Sequence, residues 1–234
     1  MTAAGLARPQ AKTGGPSRGR RSSFASVRRR LPAGLAVEEK IDGWRALYTR
    51  GLDGVPRLYT RNGQTIPGAE HILYRLAEFE QAAGAPLFID GEFQVGGTLD
   101  ATKRWCESEW RMGGTAGVFY AFDVMPFADW QRGGWARPWQ ERKRLLVDLS
   151  KQVNQAPAWD WRPGSFGADE HRPTVGILME AWAFDALDLA ELAAHVWARG
   201  GEGLMLKDPS APYLRQRNRN WLKLKRREQF ARAA

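Results

Sequence analysis

Lys40 stands two residues before Asp42, with Gly43 next and Arg45 two further on. A lysine is protonated near neutrality, with a pKa of about 10.4. Neighbouring cations and partial burial lower that value and free the lone pair, which turns the amine into a nucleophile. Other segments supply neighbours for it. Thr60-Arg61-Asn62-Gly63 offers a second arginine, and Glu38 lies two before the lysine. Asp90 and Glu92 are two apart in the apolar run "FIDGEF", so a strand carries them on one face. Phe122 and Asp123 fall in a second apolar run, "YAFDV". "EGLMLKD" opens with Glu202, and "WLKLK" alternates so that Lys223 and Lys225 share a face. Two lysines on one face of a core strand repel each other unless an anion sits between them. Taken singly, each segment has an ordinary reading: a surface lysine, a carboxylate paired with an arginine, a core phenylalanine, a solvated strand face. Together they hold the parts for transfer of a phosphoryl-linked group: an amine nucleophile, separated carboxylates, an aromatic plate and cations to stabilise developing charge. No GxxxxGK[ST] loop is present, so phosphate binding is not of the P-loop kind. His71, His171 and His195 show no metal-ligand spacing with Cys106.

Hydrophobic periodicity gives the elements that must position these groups. "WRALYTR" and "VPRLYTR" read as strands joined by the turn "GLDG". Ile72, Leu73, Leu76 and Phe79 recur at helical spacing before Gly84. "LFIDGEFQV" and "GVFYAFDVMPF" read as buried strands, and "PWQERKRLLVDLSKQ" as a helix with apolar Leu145, Leu146 and Leu149. "VGILMEAWAF" reads as one strand, "DLAELAAHVWARGG" as a glycine-terminated helix, and "EGLMLKD" and "NWLKLKR" as two late strands. The stretch from Asn154 to Thr174 shows no period and reads as a loop. This mixture predicts an α+β fold with largely antiparallel sheets flanked by helices.

Composition bounds the rest. The chain has 234 residues, 43% of them hydrophobic, enough for a sizeable core. Its single cysteine, Cys106, allows no internal disulfide and fits a reducing compartment. No apolar run approaches the ~18 residues of a membrane span, and the N-terminus has no secretory pattern, so the expected setting is a cytoplasm, of bacterial or phage type. The net charge of +9 is concentrated in residues 1–30, which hold eight Lys or Arg and no acid. That segment is expected to be a disordered basic tail, with a role in holding nucleic-acid phosphates as the functional alternative to a plain solvated tail. The folded domain is expected over 31–234.

In order and in residue type, these segments resemble the motifs of the adenylation (nucleotidyltransferase) domain of ATP-dependent DNA ligases. That family has a KxDGxR box, an SRxG-like box, a DGE box, an aromatic FD box, an EG box and a terminal KxK box. Here they are Lys40 to Arg45, Thr60 to Gly63 (threonine in place of serine), Asp90 to Glu92, Phe122-Asp123, Glu202-Gly203 and Lys223 to Lys225. The resemblance runs from about residue 31 to 226. It implies an ATP-grasp-like nucleotidyltransferase fold. It also implies a three-step reaction in which Lys40 takes AMP from ATP, AMP passes to a DNA 5′-phosphate, and the adjoining 3′-hydroxyl seals the nick. By the same resemblance Glu38 contacts the adenine amine, Glu92 the ribose hydroxyls and Phe122 the adenine face. Lys223 and Lys225 hold the triphosphate, and Arg45 and Arg61 the sugar and then the nick phosphate. Glu202, with Glu92, holds Mg2+ or Mn2+. Nicked duplex DNA is the expected partner, with Arg215, Arg217 and Arg219 of the basic stretch "LRQRNRNWLKLKRR" at the duplex. Family members continue into an oligonucleotide-binding (OB) barrel; no C-terminal OB-fold is expected within this sequence, and a separate OB-fold or other DNA-clamping partner takes that place. The chain is expected to be a monomer. RNA ligase, capping-type nucleotidyltransferase and non-catalytic end-binding module are the alternatives that the motifs leave open.

Overall fold

The computed structural model describes residues 18–21, 27, 30–154 and 174–225. In chain order its elements begin with β1 (Arg18–Arg21), β2 (Leu35–Glu39), β3 (Trp44–Arg50), β4 (Pro56–Thr60), α1 (Glu70–Ala83), β5 (Leu87–Gln94), α2 (Leu99–Glu107) and β6 (Val118–Pro126). They continue with α3 (Phe127–Gln131), β7 (Gly134–Trp135), α4 (Trp139–Asn154), β8 (Val175–Ile177), β9 (Ala181–Ala183), α5 (Ala186–Ala198), β10 (Gly203–Lys207), β11 (Tyr213–Leu214) and β12 (Arg217–Lys225).

Two five-stranded sheets form the frame, in the orders β1-β12-β10-β2-β9 and β4-β3-β5-β6-β8. All pairings in them are antiparallel except β1 with β12 and β6 with β8. Helices cover the outer faces. Ile72, Leu76 and Phe79 of α1, at one-turn spacing, bury against Tyr48 and Leu58 of the second sheet, with Leu146 and Leu149 of α4 in the same cluster. Gly84 ends α1 in the left-handed region that glycine accepts without steric cost. Leu189, Ala193 and Val196 of α5 bury against Val37, Leu204 and Leu224 of the first sheet, and a capping box between Asp185 and Asp188 starts that helix. Between the sheets lies a third core of mostly aromatic residues: Phe88, Tyr120, Phe122, Trp130, Tyr213 and Trp221.

Three features depart from the periodicity. "VGILMEAWAF" is two short strands rather than one: β8 adds to the second sheet, and β9 adds to the first. Helix α2 was not anticipated; Thr98 caps it by accepting from the Ala101 amide, the local signal that marks its start. The basic N-terminal segment also contributes to the fold: β1 pairs with β12 so that Arg21 lies opposite Lys223, and Val27 is fully buried. The composition boundary at residue 30 is therefore not the edge of the folded unit, because backbone pairing along a sheet edge does not depend on apolar side chains. The tail reading otherwise falls on residues 1–17, 22–26 and 28–29, outside the described residues, as do His171 and most of the loop expected between Asn154 and Thr174.

Candidate active site

Strands β2 and β3 belong to different sheets, and residues 40–43 cross between them. Lys40 is the first residue of that crossing, anchored by its amide donating to the Gly203 carbonyl at 2.9 Å. The Gly43 backbone passes so close to β5 that an added Cβ would lie 2.5 Å from the Phe93 carbonyl oxygen. Gly203, with φ +151, is similarly pressed against β12: its Cβ would lie 2.1 Å from the Leu224 carbonyl oxygen. Glycine at these motif positions is thus a requirement of close backbone approach.

The crossing opens onto a cavity of about 630 Å³ between the sheets. Glu38, Lys40, Arg45, Arg61, Glu92, Phe122, Lys207, Trp221 and Lys223 are among its lining residues. Glu202 bridges two cations beside it, paired with Lys40 Nζ through one oxygen and with Lys225 Nζ through the other. Glu202 is thus the counter-charge of Lys225, while the carboxylate acting on Lys223 is Glu92. Burial pushes the Glu202 pKa up, but hydrogen bonds from Lys225 and Lys40 outweigh it and hold the carboxyl below its ordinary value.

Arg45 is held as a fork by Asp90, with Nε donating to Oδ1 at 2.7 Å and the second nitrogen to Oδ2. Tyr213 Oη also donates to Asp90 Oδ2, at 2.5 Å. The Arg45 guanidinium lies 5.3 Å from the ring centres of both Phe122 and Trp221. Burial alone would lower its pKa; the Asp90 carboxylate reverses that and keeps the group charged. Asp90 is fully buried and its own pKa is raised by desolvation, against the pull of Arg45. Glu92 lies opposite Arg45 on the neighbouring strand. Burial pushes its carboxyl up to about 7, opposed by Lys40 and Arg45. The Lys223 pKa is lowered by burial and then by the charges of Lys40 and Arg45.

A β-bulge lies at Phe122. The register passes from Asp90↔Asp123 to Gly91↔Ala121, which leaves Phe122 as the extra residue on β6. Inward and outward positions change phase across it: Phe119 and Ala121 join the outer core, as does Val124 beyond the bulge, while Tyr120, Phe122 and Met125 face the inter-sheet core. Phe122 meets Trp221 edge to face at 5.8 Å.

Lys207, Lys143 and Arg142 carried little sequence signal, whereas Asp123, the partner of Arg142, belongs to the FD box. Lys207 is 1% exposed; its Nζ lies 2.5 Å from Glu38 Oε2 and 4.6 Å from the ring centres of Phe122 and Trp221. Lys143 Nζ lies 2.5 Å from Glu38 Oε1. Arg142 and Asp123, both fully buried, pair at 2.7 and 2.9 Å. Only the polar end of "EGLMLKD" and the lysine within an otherwise charged helix turn hinted at the two lysines. Of the arginines expected at a duplex, Arg215 and Arg219 are not among the cavity residues. Arg215 instead packs on the Trp130 ring at 4.0 Å and donates to the Trp130 carbonyl. Arg219 is exposed on β12, where its carbonyl accepts from Arg30. Arg217 is a residue of β12 whose side chain is not described.

No helix among the described residues is long and apolar enough to cross a membrane. Residues 20–225 match the family model described as ATP dependent DNA ligase domain. The DNA ligase of Halobacterium salinarum is 30% identical over 209 residues, covering 81% of this chain and 32% of the relative. The chain thus spans about a third of the length of the curated relatives it matches. The ATP-dependent DNA ligase from bacteriophage T7 in complex with ATP superposes with a TM-score of 0.66 at 18% identity, covering 92% of this chain and 69% of that one. A Chlorella virus DNA ligase-adenylate gives 0.64 at 19% identity, with coverages of 91% and 67%. At such identities the superpositions speak for the fold, which is the mixed α and β nucleotidyltransferase frame of these enzymes. The match of sequence along most of its length decides the family: the chain belongs to the ATP-dependent DNA ligases and carries their adenylation domain.

Proposed function

We propose that this chain takes AMP from ATP onto Lys40 and passes it on to seal nicks in duplex DNA. The observation that carries the reading is the setting of Lys40: on the sheet crossing, at the wall of the cavity, paired with Glu202 between it and Lys225. In the first step the Lys40 nitrogen bonds to the α-phosphorus of ATP, the bond to the β-phosphate oxygen breaks, and pyrophosphate leaves. Glu202, in contact with Lys40 Nζ, is placed to receive the proton that the amine sheds. Lys223 and Lys225 supply positive charge toward the triphosphate. Glu92 meets the ribose hydroxyls, and Phe122 offers its ring to the base. Glu38 presents a carboxylate acceptor, and beside it Lys207 an ammonium donor, matching the amine donor and ring-nitrogen acceptor on the Watson–Crick edge of adenine.

In the second step AMP moves from Lys40 to a DNA 5′-phosphate, positioned by Arg45 and by exposed Arg61. In the third the neighbouring 3′-hydroxyl displaces AMP. Arg215, Arg217 and Arg219 contact the duplex backbone, where phosphate contacts fix position without reading sequence. Among the described residues no group of three or more His, Cys, Asp and Glu converges on one point. Two carboxylates, Glu202 and Glu92, suit magnesium or manganese, which bind through one or two carboxylates with waters and substrate phosphates. Such an ion supplies charge neutralisation on the phosphates.

The test is incubation with α-labelled ATP and Mg2+ beside Lys40→Ala. Label that survives denaturation on the wild type alone is expected. Equal labelling of both proteins, or none on a folded wild type free of prior AMP, would refute the assignment of Lys40.

A further inference from the structure

Trp139, Arg142 and Lys143 share one face of the first turns of α4, at i, i+3 and i+4. That face is buried behind the cavity rather than in it: Glu38, Lys207 and Leu178 line the cavity, and Lys143 does not. The Lys143 side chain is 3% exposed. Its Nζ lies 2.5 Å from Glu38 Oε1 and donates to the Leu178 carbonyl at 2.5 Å. Glu38 is itself 1% exposed, and its other oxygen faces Lys207. The Trp139 ring supports both ammonium groups, each 5.4 Å from its centre. One buried carboxylate thus has two buried cations where one would neutralise it. Keeping a second ammonium out of water is costly, so its presence calls for a role. The two cations act from different directions. Lys207 sits beside the carboxylate at the cavity; Lys143 holds it from behind and is tied to the backbone of a cavity residue.

We infer that Lys143 is a positioning residue for nucleobase selection: it fixes Glu38 so that the carboxylate faces the cavity as an acceptor for an exocyclic amine. This rests on the reading of Glu38 as the contact to the base. Without Lys143, Glu38 is held by Lys207 alone and turns toward it, and the acceptor offered to the base is lost. Lys143 itself touches no part of the nucleotide, so its effect is on the choice of base.

The experiment compares kcat/KM for Lys40 labelling by ATP with that for purine riboside triphosphate, which has the same ring without the 6-amino group. A hydrogen bond to a charged acceptor predicts that the wild type prefers ATP by roughly tenfold or more. Lys143→Met is expected to bring the two substrates to within about threefold, the analogue being little affected. Lys143→Gln, which keeps a donor but not the charge, is expected to lose the preference as well and serves if the methionine variant does not fold. Lys143→Arg is expected to retain most of the preference. In a Glu38→Gln background, Lys143→Met should change the ratio no further. If Lys143→Met slows both substrates by one factor, the inference is overturned and the residue is structural. If the wild type uses both substrates equally, the reading of Glu38 falls and takes this inference with it. Labelling by ATP in the wild type reports separately on the chemistry at Lys40.

Discussion

Glu92 gives the clearest link between the site and the stability of the fold. Its carboxyl rises from the ordinary 4.5 to about 7 because burial disfavours the charged form more than Lys40 and Arg45 favour it. Below pH 4.5 the group is protonated whether the chain is folded or not, and it has no effect on stability. Between pH 4.5 and 7 the native state binds more protons at this site than the unfolded state, so the unfolding free energy falls as pH rises. Above pH 7 the loss is complete. At about 1.36 kcal/mol per pH unit the full effect is about 3 kcal/mol. Glu92 borders an open cavity where water screens it, so the working range is about 1–3 kcal/mol. Glu92→Gln keeps the shape and removes the ionisation. Chemical denaturation across pH should find the two proteins equally stable near pH 4, and the variant more stable by that amount at pH 8. For a chain of this size each kcal/mol shifts Tm by about 2–4 °C, so a thermal melt is sensitive enough. Parallel stability curves for the two proteins from pH 4 to 8 would refute the argument. They would mean that the cations around Glu92 compensate its desolvation fully.

Four other perturbations have defined outcomes. Asp123→Asn leaves the fully buried Arg142 without its counter-charge and is expected to cost about 3–5 kcal/mol in denaturation experiments, whereas the paired change Asp123→Leu with Arg142→Met should recover most of it. Gly43→Ala drives a methyl into the Phe93 carbonyl, so a loss of about 1–3 kcal/mol is expected together with slower labelling of Lys40, whose segment must shift. Glu202→Gln removes the charge between Lys40 and Lys225; covalent labelling should drop at least roughly tenfold while the melting curve moves little, since the group lies at a part-open site. Burial pushes the Cys106 thiol up to about 11, so alkylation by iodoacetamide at pH 8 should be slow in the native protein and accelerate on unfolding.

The outer faces of the fold were legible because burial there repeats. A strand buried on one or both faces and a helix with an apolar stripe leave periods of two and 3.6 in the sequence. β3, β5, β6, α1, α4 and α5 fall where those periods place them. β8 and β9 did not, because one apolar run serves two sheets and nothing local marks the point where the chain leaves one for the other. α2 was missed because it is short and buries only Thr102 and Trp105, too few positions for a period to show, its cap at Thr98 being a further local cue.

The chemical inventory was also written in the sequence: Lys40, Arg45, Glu92, Phe122, Glu202, Lys223 and Lys225 stand out as polar or aromatic residues in or beside apolar strands, where they require a partner or a use. What those partners are was decided only by the tertiary structure. Glu38 and Lys143 are more than a hundred positions apart, as are Asp90 and Tyr213, and neither periodicity nor spacing reports contacts of that range. Lys143 looks like one charge among several in "QERKR" until α4 docks and turns it inward. Beyond Phe122 a bulge reverses which residues of β6 face inward, so that Val124 turns outward and Met125 inward, a change that alternation alone does not foresee. Lys40 becomes a candidate nucleophile because the chain crosses between sheets there and brings Glu202 and Lys225 to it. The residue types set which chemistry was available; the docking of two sheets set which of them meet, because buried charges settle only where a fold supplies their counter-charges.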